Sequence, residues 1–259
     1  MPLDCYPTLN MTSENSLPIR LDLIPGTLCD QRMWTRLAPL LGAGIDLHHV
    51  PLHKARTRAQ MQELIASHSA PRTHLVAFSL GAYLAVEYAV AHPERIASLT
   101  LIANSAKGLQ PAEIETRQRI AVMLERNAYT GITRQRLREI LHPAHLQDAA
   151  IVGLIDRMAL DLGKDVLLTQ FATTIDRADL MDRLAELPFP VLIVGAEDDR
   201  LVPAGDLREM AARFAHATLY MFGEQTGQQT GHMIPLEAPQ ALADAMLAFM
   251  AGNEAVFQR

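Results

Sequence analysis

The chain has 259 residues, close to half of them apolar, a net charge of −6 and only two cysteines. That is enough apolar material for one large core, and the mild negative balance argues against a phosphate backbone or an anionic membrane surface as partner. Cys5 and Cys29 make neither a disulfide framework nor a metal-ligand cluster, which fits a reducing, cytoplasmic setting.

Residues 1–18 carry acids and prolines where an export signal needs a basic start and an unbroken apolar run, and they read as a tail with no assigned role. No stretch approaches the length of a membrane-spanning apolar helix. Residues 19–24 read as a strand ended by Pro25-Gly26. Residues 31–41 place Met33, Trp34, Leu37, Leu40 and Leu41 at helical spacing, closed by Gly42 and Gly44. A second pair follows, with a strand at 45–50 and a helix at 58–68 that gathers Met61, Leu64 and Ile65 on one face. The apolar strand 73–78 runs directly into an apolar helix at 80–91, so the chain turns sharply at Ser79. Residues 96–103 form the next strand.

Between 107 and 187 the pattern changes to consecutive helices, at 113–127, 133–141, 149–160 and 164–175, broken by Pro143 and Gly163. This segment reads as a helical cap inserted into a core made of 19–106 and 188–259. Strands resume at 191–195, after the breaker Pro188-Phe189-Pro190, and at 218–222, and a helix over 239–250 closes the chain. Short apolar runs alternating with helical patterns predict an α/β fold, a mostly parallel sheet flanked by helices.

Ala77-Phe78-Ser79-Leu80-Gly81 is a relaxed nucleophile elbow, in which small residues flank a serine at a strand-to-helix turn. Such a turn exposes the hydroxyl and points the Leu80 N–H into the same space. The plainer reading is that Ser79 only caps the helix that follows it. A serine nucleophile needs a base to take its proton and an acid to fix the base's tautomer. Asp198 and Asp199 follow the strand at 191–196, at the sheet end where open α/β folds bind ligands. His232 follows the last strand on the glycine-flanked loop GEQTGQQTGH. The order Ser, Asp, His is that of the α/β hydrolases.

The segments PGTLCD, AFSLGAYLAVEYAVAHPERIASLTLIANS, PFPVLIVGAEDDRLVP and GHMIPLEAPQALADAMLAFM resemble the α/β-hydrolase superfamily over nearly the whole chain from Ile19, and within it the small bacterial esterase and carbon–carbon hydrolase branch with a helical cap. The resemblance implies Ser79, Asp199 and His232 as a triad without a cofactor. It prefers Asp199 to Asp198 because the acid stands four residues before Pro203. It implies Thr27 and Leu80 as backbone oxyanion donors, with Leu28 as the lesser alternative to Thr27. Three departures stand out. Ala77 and Ala196 replace glycines, Pro25-Gly26 replaces a His-Gly pair, and TGQQTG lengthens the loop before His232.

The expected activity is hydrolysis of a small, hydrophobic ester or thioester through an acyl-enzyme. The same residues also suit carbon–carbon hydrolysis or a lyase step, and a capped pocket without turnover would make a receptor. His92 reads as structural at a helix end. His48, His49 and His53 share a loop without completing a metal set. His142 and His145 flank Pro143 as pocket or surface residues, and Met123, Leu124, Met158, Leu160, Leu167 and Phe171 belong to the cap core or face the substrate.

Overall fold

The computed structural model describes residues 18–257, so the expected tail through residue 17 and Cys5 lie outside the described residues. In chain order, β1 is Ile19–Ile24, β2 Ile45–His49, α1 Arg58–His68, β3 Thr73–Phe78, α2 Leu80–Ala91 and β4 Ile96–Ile102. Then come α3 Pro111–Arg126, α4 Arg134–Ile140 and α5 Ala149–Thr173. The sheet resumes with β5 Val191–Ala196, α6 Ala204–Arg213 and β6 Ala217–Phe222, before the short α7 Ile234–Glu237 and α8 Pro239–Gly252.

The six strands lie in the order β2-β1-β3-β4-β5-β6, and all five ladders are parallel. Side chains alternate across this sheet, so Val76 and Phe78 join one buried layer while Leu75 and Ala77 join the other. The first layer is covered by α8 through Leu242, Met246 and Phe249, and the second by α1, α2 and α6 through Met61, Ile65, Tyr83, Leu207 and Met210. Burial on both faces explains why the central strands β3, β4 and β5 are near-continuous apolar runs rather than alternating ones. The chain leaves β1 toward one edge and returns to build toward the other from β3. The crevice at the carboxyl ends of β1 and β3 is therefore the topological switch point where such sheets bind ligands.

One sequence expectation changes. Residues 31–41 form two 3-10 turns, Gln31–Trp34 and Ala38–Leu40, in place of one α-helix. Asp30 draws the Arg32 N–H onto its side chain, backbone bonds run three residues back, as from Thr35 to Arg32, and Pro39 has no N–H to donate into an α-helical ladder. Residues 149–160 and 164–175 are two helical stretches as expected, because within α5 Gly163 is non-helical at φ 77° and ψ 177° and the break falls at the expected glycine. The helix α6 has no counterpart in the sequence reading. Ile140, Leu141, Ile151, Ile155 and Met158, in and just after α4 and in α5, belong to the same buried layer as α8, whereas Met123 and Leu160 are about half exposed. Among the described residues no helix is long and apolar enough to cross a membrane.

Candidate active site

The elbow is where β3 gives way to α2. Ser79 is held at φ 51° and ψ −116°, a conformation that L-residues rarely adopt and that costs on the order of 1–3 kcal/mol. It persists because the Ser79 N–H donates to Ile102 O on the neighbouring strand at 2.9 Å while the Ser79 carbonyl accepts from Ala82 and Tyr83 in the helix. The Ser79 side chain makes no helix-cap bond, which removes the capping explanation for its presence.

Its Oγ lies 2.9 Å from His232 Nε2, and His232 Nδ1 lies 2.8 Å from Asp199 Oδ2. A carboxylate only accepts, so Nδ1 carries the proton and Nε2 of the neutral ring is left as an acceptor facing the serine hydroxyl. Asp199 is fixed by its other oxygen, Oδ1, which accepts from the Leu201 and Val202 N–H groups at 2.8 and 3.1 Å. The His232 and Asp199 side chains are 5% and 1% exposed, so their bond lies out of water. Asp198 stands apart, more than half exposed and 3.7 Å from His142 Nε2.

The long loop before His232 delivers it in place. His232 N–H and Met233 N–H both donate to Ile140 O at 3.0 and 3.2 Å. The buried Glu237 takes Gly231 N–H and His142 N–H on Oε2 and Met233 N–H on Oε1, at 3.1, 2.8 and 2.9 Å. One carboxylate thus ties both chain neighbours of His232 to the segment after α4. Burial pushes the Glu237 carboxyl above its ordinary range, against the pull of those three N–H donors. Glu237 was not singled out from the sequence, although a lone carboxylate in the apolar run MIPLEAP was a signal for it.

The expected oxyanion donors lie on two turns pressed together. A Cβ at Gly81 would come within 2.4 Å of Pro25 O, and one at Gly26 would lie 3.2 Å from Ser79 Cβ. Only glycines at these positions let the turn after β1 meet the start of α2. Among the described residues neither the Thr27 nor the Leu80 N–H has a hydrogen-bond partner, whereas the Leu28 N–H is taken by Gln170 Oε1 at 2.9 Å. Burial pushes the nearby Cys29 thiol up to about 12, which keeps it protonated and unreactive.

Several of the other histidines are bonded elsewhere. His48 bonds Asp46, His142 Nδ1 accepts from Ala144 N–H, and His145 Nε2 meets Gln229 O. His49 and His53 line a cavity of about 360 Å³ together with Asp30, Arg32 and Lys54.

Residues 23–245 match the Alpha/beta hydrolase family, and the chain belongs to it. It is 26% identical over 187 residues to a 2-hydroxy-6-oxononadienedioate/2-hydroxy-6-oxononatrienedioate hydrolase of Burkholderia vietnamiensis, covering 69% of this chain and 62% of that one. It is 27% identical over 248 residues to the dihydrolipoyllysine-residue acetyltransferase component of an acetoin cleaving system from Pseudomonas putida, covering 89% and 63%. The chain thus spans somewhat under two thirds of the length of these curated relatives. Among solved structures, a thermophilic esterase from Thermogutta terrifontis superposes with a TM-score of 0.78 at 18% identity, over 93% of this chain and 92% of that one. An enol-lactonase from Burkholderia xenovorans gives 0.77 at 17% identity, over 92% and 93%. At such identities these two structures speak for the fold alone.

Proposed function

We propose that the chain is a serine hydrolase that cleaves a carboxylic ester or thioester of a small, hydrophobic substrate through an acyl-enzyme, with Ser79 as nucleophile, His232 as general base and Asp199 as the acid that orients it. The observation that carries this reading is the continuous run from Ser79 Oγ through His232 to Asp199, both bonds below 3 Å and largely out of water. The unpartnered Thr27 and Leu80 N–H groups beside it support the oxyanion site.

On this reading His232 Nε2 takes the Ser79 proton as Oγ attacks the acyl carbonyl, and Asp199 stabilises the imidazolium that forms. The carbonyl oxygen becomes an alkoxide that accepts from Thr27 and Leu80 N–H, each such donor being worth about 10² to 10³ in rate because it is set in place before charge develops. His232 then protonates the leaving alcohol or thiol. A water deprotonated by the same histidine releases the acid and restores Ser79. Every proton is carried by the histidine, so the sequence of steps uses no cofactor or metal.

Treating the protein and its Ser79→Ala variant with a fluorophosphonate tests the reading. Stoichiometric labelling at Ser79, absent from the variant, is expected, and a well-folded protein that takes no label overturns it. The Burkholderia relative named for a dienedioate hydrolase favours a second reading, carbon–carbon bond hydrolysis by the same three residues. Turnover of a vinylogous 1,5-diketone faster than that of any nitrophenyl ester would establish it.

A further inference from the structure

Gln170 sits in the last turn of α5, is 1% exposed, and reaches out of the inserted helices to the turn after β1. Its Oε1 accepts the Leu28 N–H at 2.9 Å, across 142 residues of chain. A backbone N–H can only donate, so this bond fixes which end of the carboxamide faces the turn. Leu28 is held there at φ 51°, the left-handed region that a leucine avoids. The preceding residue is Thr27, whose N–H is unpartnered, and Gly26 before it abuts Ser79.

The other end of the carboxamide is informative. Gln170 Nε2 is buried without a hydrogen-bond partner among the described residues. An apolar side chain of the same size would fill the position without burying an unpartnered Nε2, so packing alone gives no reason for an amide here. What the amide supplies that methionine does not is the acceptor for Leu28. The helix that carries it is itself pinned: Thr174 Oγ1 donates to the Gln170 carbonyl at 2.6 Å and accepts from Arg117, whose guanidinium lies over the Phe171 ring.

We propose that Gln170 is a positioning residue through which the inserted helices set the oxyanion-binding turn: by holding Leu28 N–H it keeps the strained turn closed and leaves Thr27 N–H as the free donor beside Leu80. This rests on the hydrolase reading of Ser79. Gln170 touches no reacting atom in this role, so its removal slows chemistry through the turn and leaves the triad bonds in place.

The test is a double-mutant cycle on the rate of Ser79 labelling by a fluorophosphonate, whose P–O oxygen uses the same donors as an ester carbonyl. Gln170→Met is expected to label about tenfold more slowly, part of what one oxyanion donor is worth, with an unchanged thermal midpoint. In a Leu28→Gly background, where the residue adopts positive φ without strain, the effect of Gln170→Met is expected to shrink to within threefold. Equal labelling of wild type and Gln170→Met, or the same loss in both backgrounds, overturns the role while leaving the hydrolase reading intact. A wild type that takes no label overturns both. If Gln170→Met does not fold, amide exchange on the wild type decides: Leu28 is expected to be protected and Thr27 not, and equally fast exchange of the two sinks the proposal.

Discussion

Gly81 in the first turn of α2 lies so close to the end of β1 that a Cβ there would stand 2.4 Å from the Pro25 carbonyl oxygen and 2.7 Å from that of Ile24. Both clashing atoms are backbone and cannot swing aside. Gly81→Ala is therefore expected to push the two turns apart, costing about 1–3 kcal/mol of stability in a denaturant titration and most of the Ser79 labelling rate. An alanine variant of wild-type stability and reactivity would mean that the turns have slack.

Ser79→Ala and Ser79→Gly remove the same hydroxyl but differ in the backbone each tolerates. Alanine keeps the strain at φ 51°, and glycine relieves it at some cost in unfolded-state entropy. Both should be inert to the probe. The glycine variant is expected to be the more stable by about 1 kcal/mol in thermal unfolding.

Asp199→Asn keeps the shape of the acid, but its NH₂ presented to Nδ1 selects the wrong imidazole tautomer. A loss of about 10³- to 10⁴-fold in kcat is expected. Asp198→Asn, at an exposed side chain 3.7 Å from His142, should stay within about threefold of wild type, as surface changes usually do. Steady-state kinetics on whichever ester is turned over separates the two adjacent acids.

Glu237 offers a pH signature. Its folded-state pKa is raised by burial, so the folded protein binds this proton more tightly than the unfolded chain does. The stability contributed by that proton is present below the unfolded value and is lost as pH rises through the folded value. Relative to Glu237→Gln, which cannot titrate, the wild type should lose stability as pH climbs above the ordinary carboxyl value in urea titrations. A difference that is flat or of opposite sign would show that the three N–H donors outweigh burial.

Cys29, with its thiol pushed up to about 12 and largely buried, should resist iodoacetamide in the native protein at pH 8 and react only on unfolding. Peptide mass mapping checks this, and rapid native alkylation at Cys29 would contradict the burial.

Much of this protein was determined by local pattern. The central strands β3, β4 and β5 are legible because each is a largely apolar run buried on both faces, the elbow because small residues must flank a serine at an abrupt strand-to-helix turn, and the break in α5 because Gly163 departs from helical geometry. The preference for Asp199 over Asp198 came from the family resemblance, which sets the acid four residues before Pro203. Tertiary structure decided what depends on contacts between distant segments. Residues 31–41 are a local exception: they have helical spacing, yet the adjacent Asp30 side chain and Pro39 within the segment turned them into 3-10 turns. Where the loop of GEQTGQQTGH leaves His232 was set by Glu237 and Ile140, whose bonds to that loop join the end of the core to the segment after α4. The Leu28 amide was claimed by a glutamine 142 residues away. Hydrophobic periodicity registers which face of an element is buried, and it carries no information on which distant carboxylate or amide will satisfy a given backbone N–H.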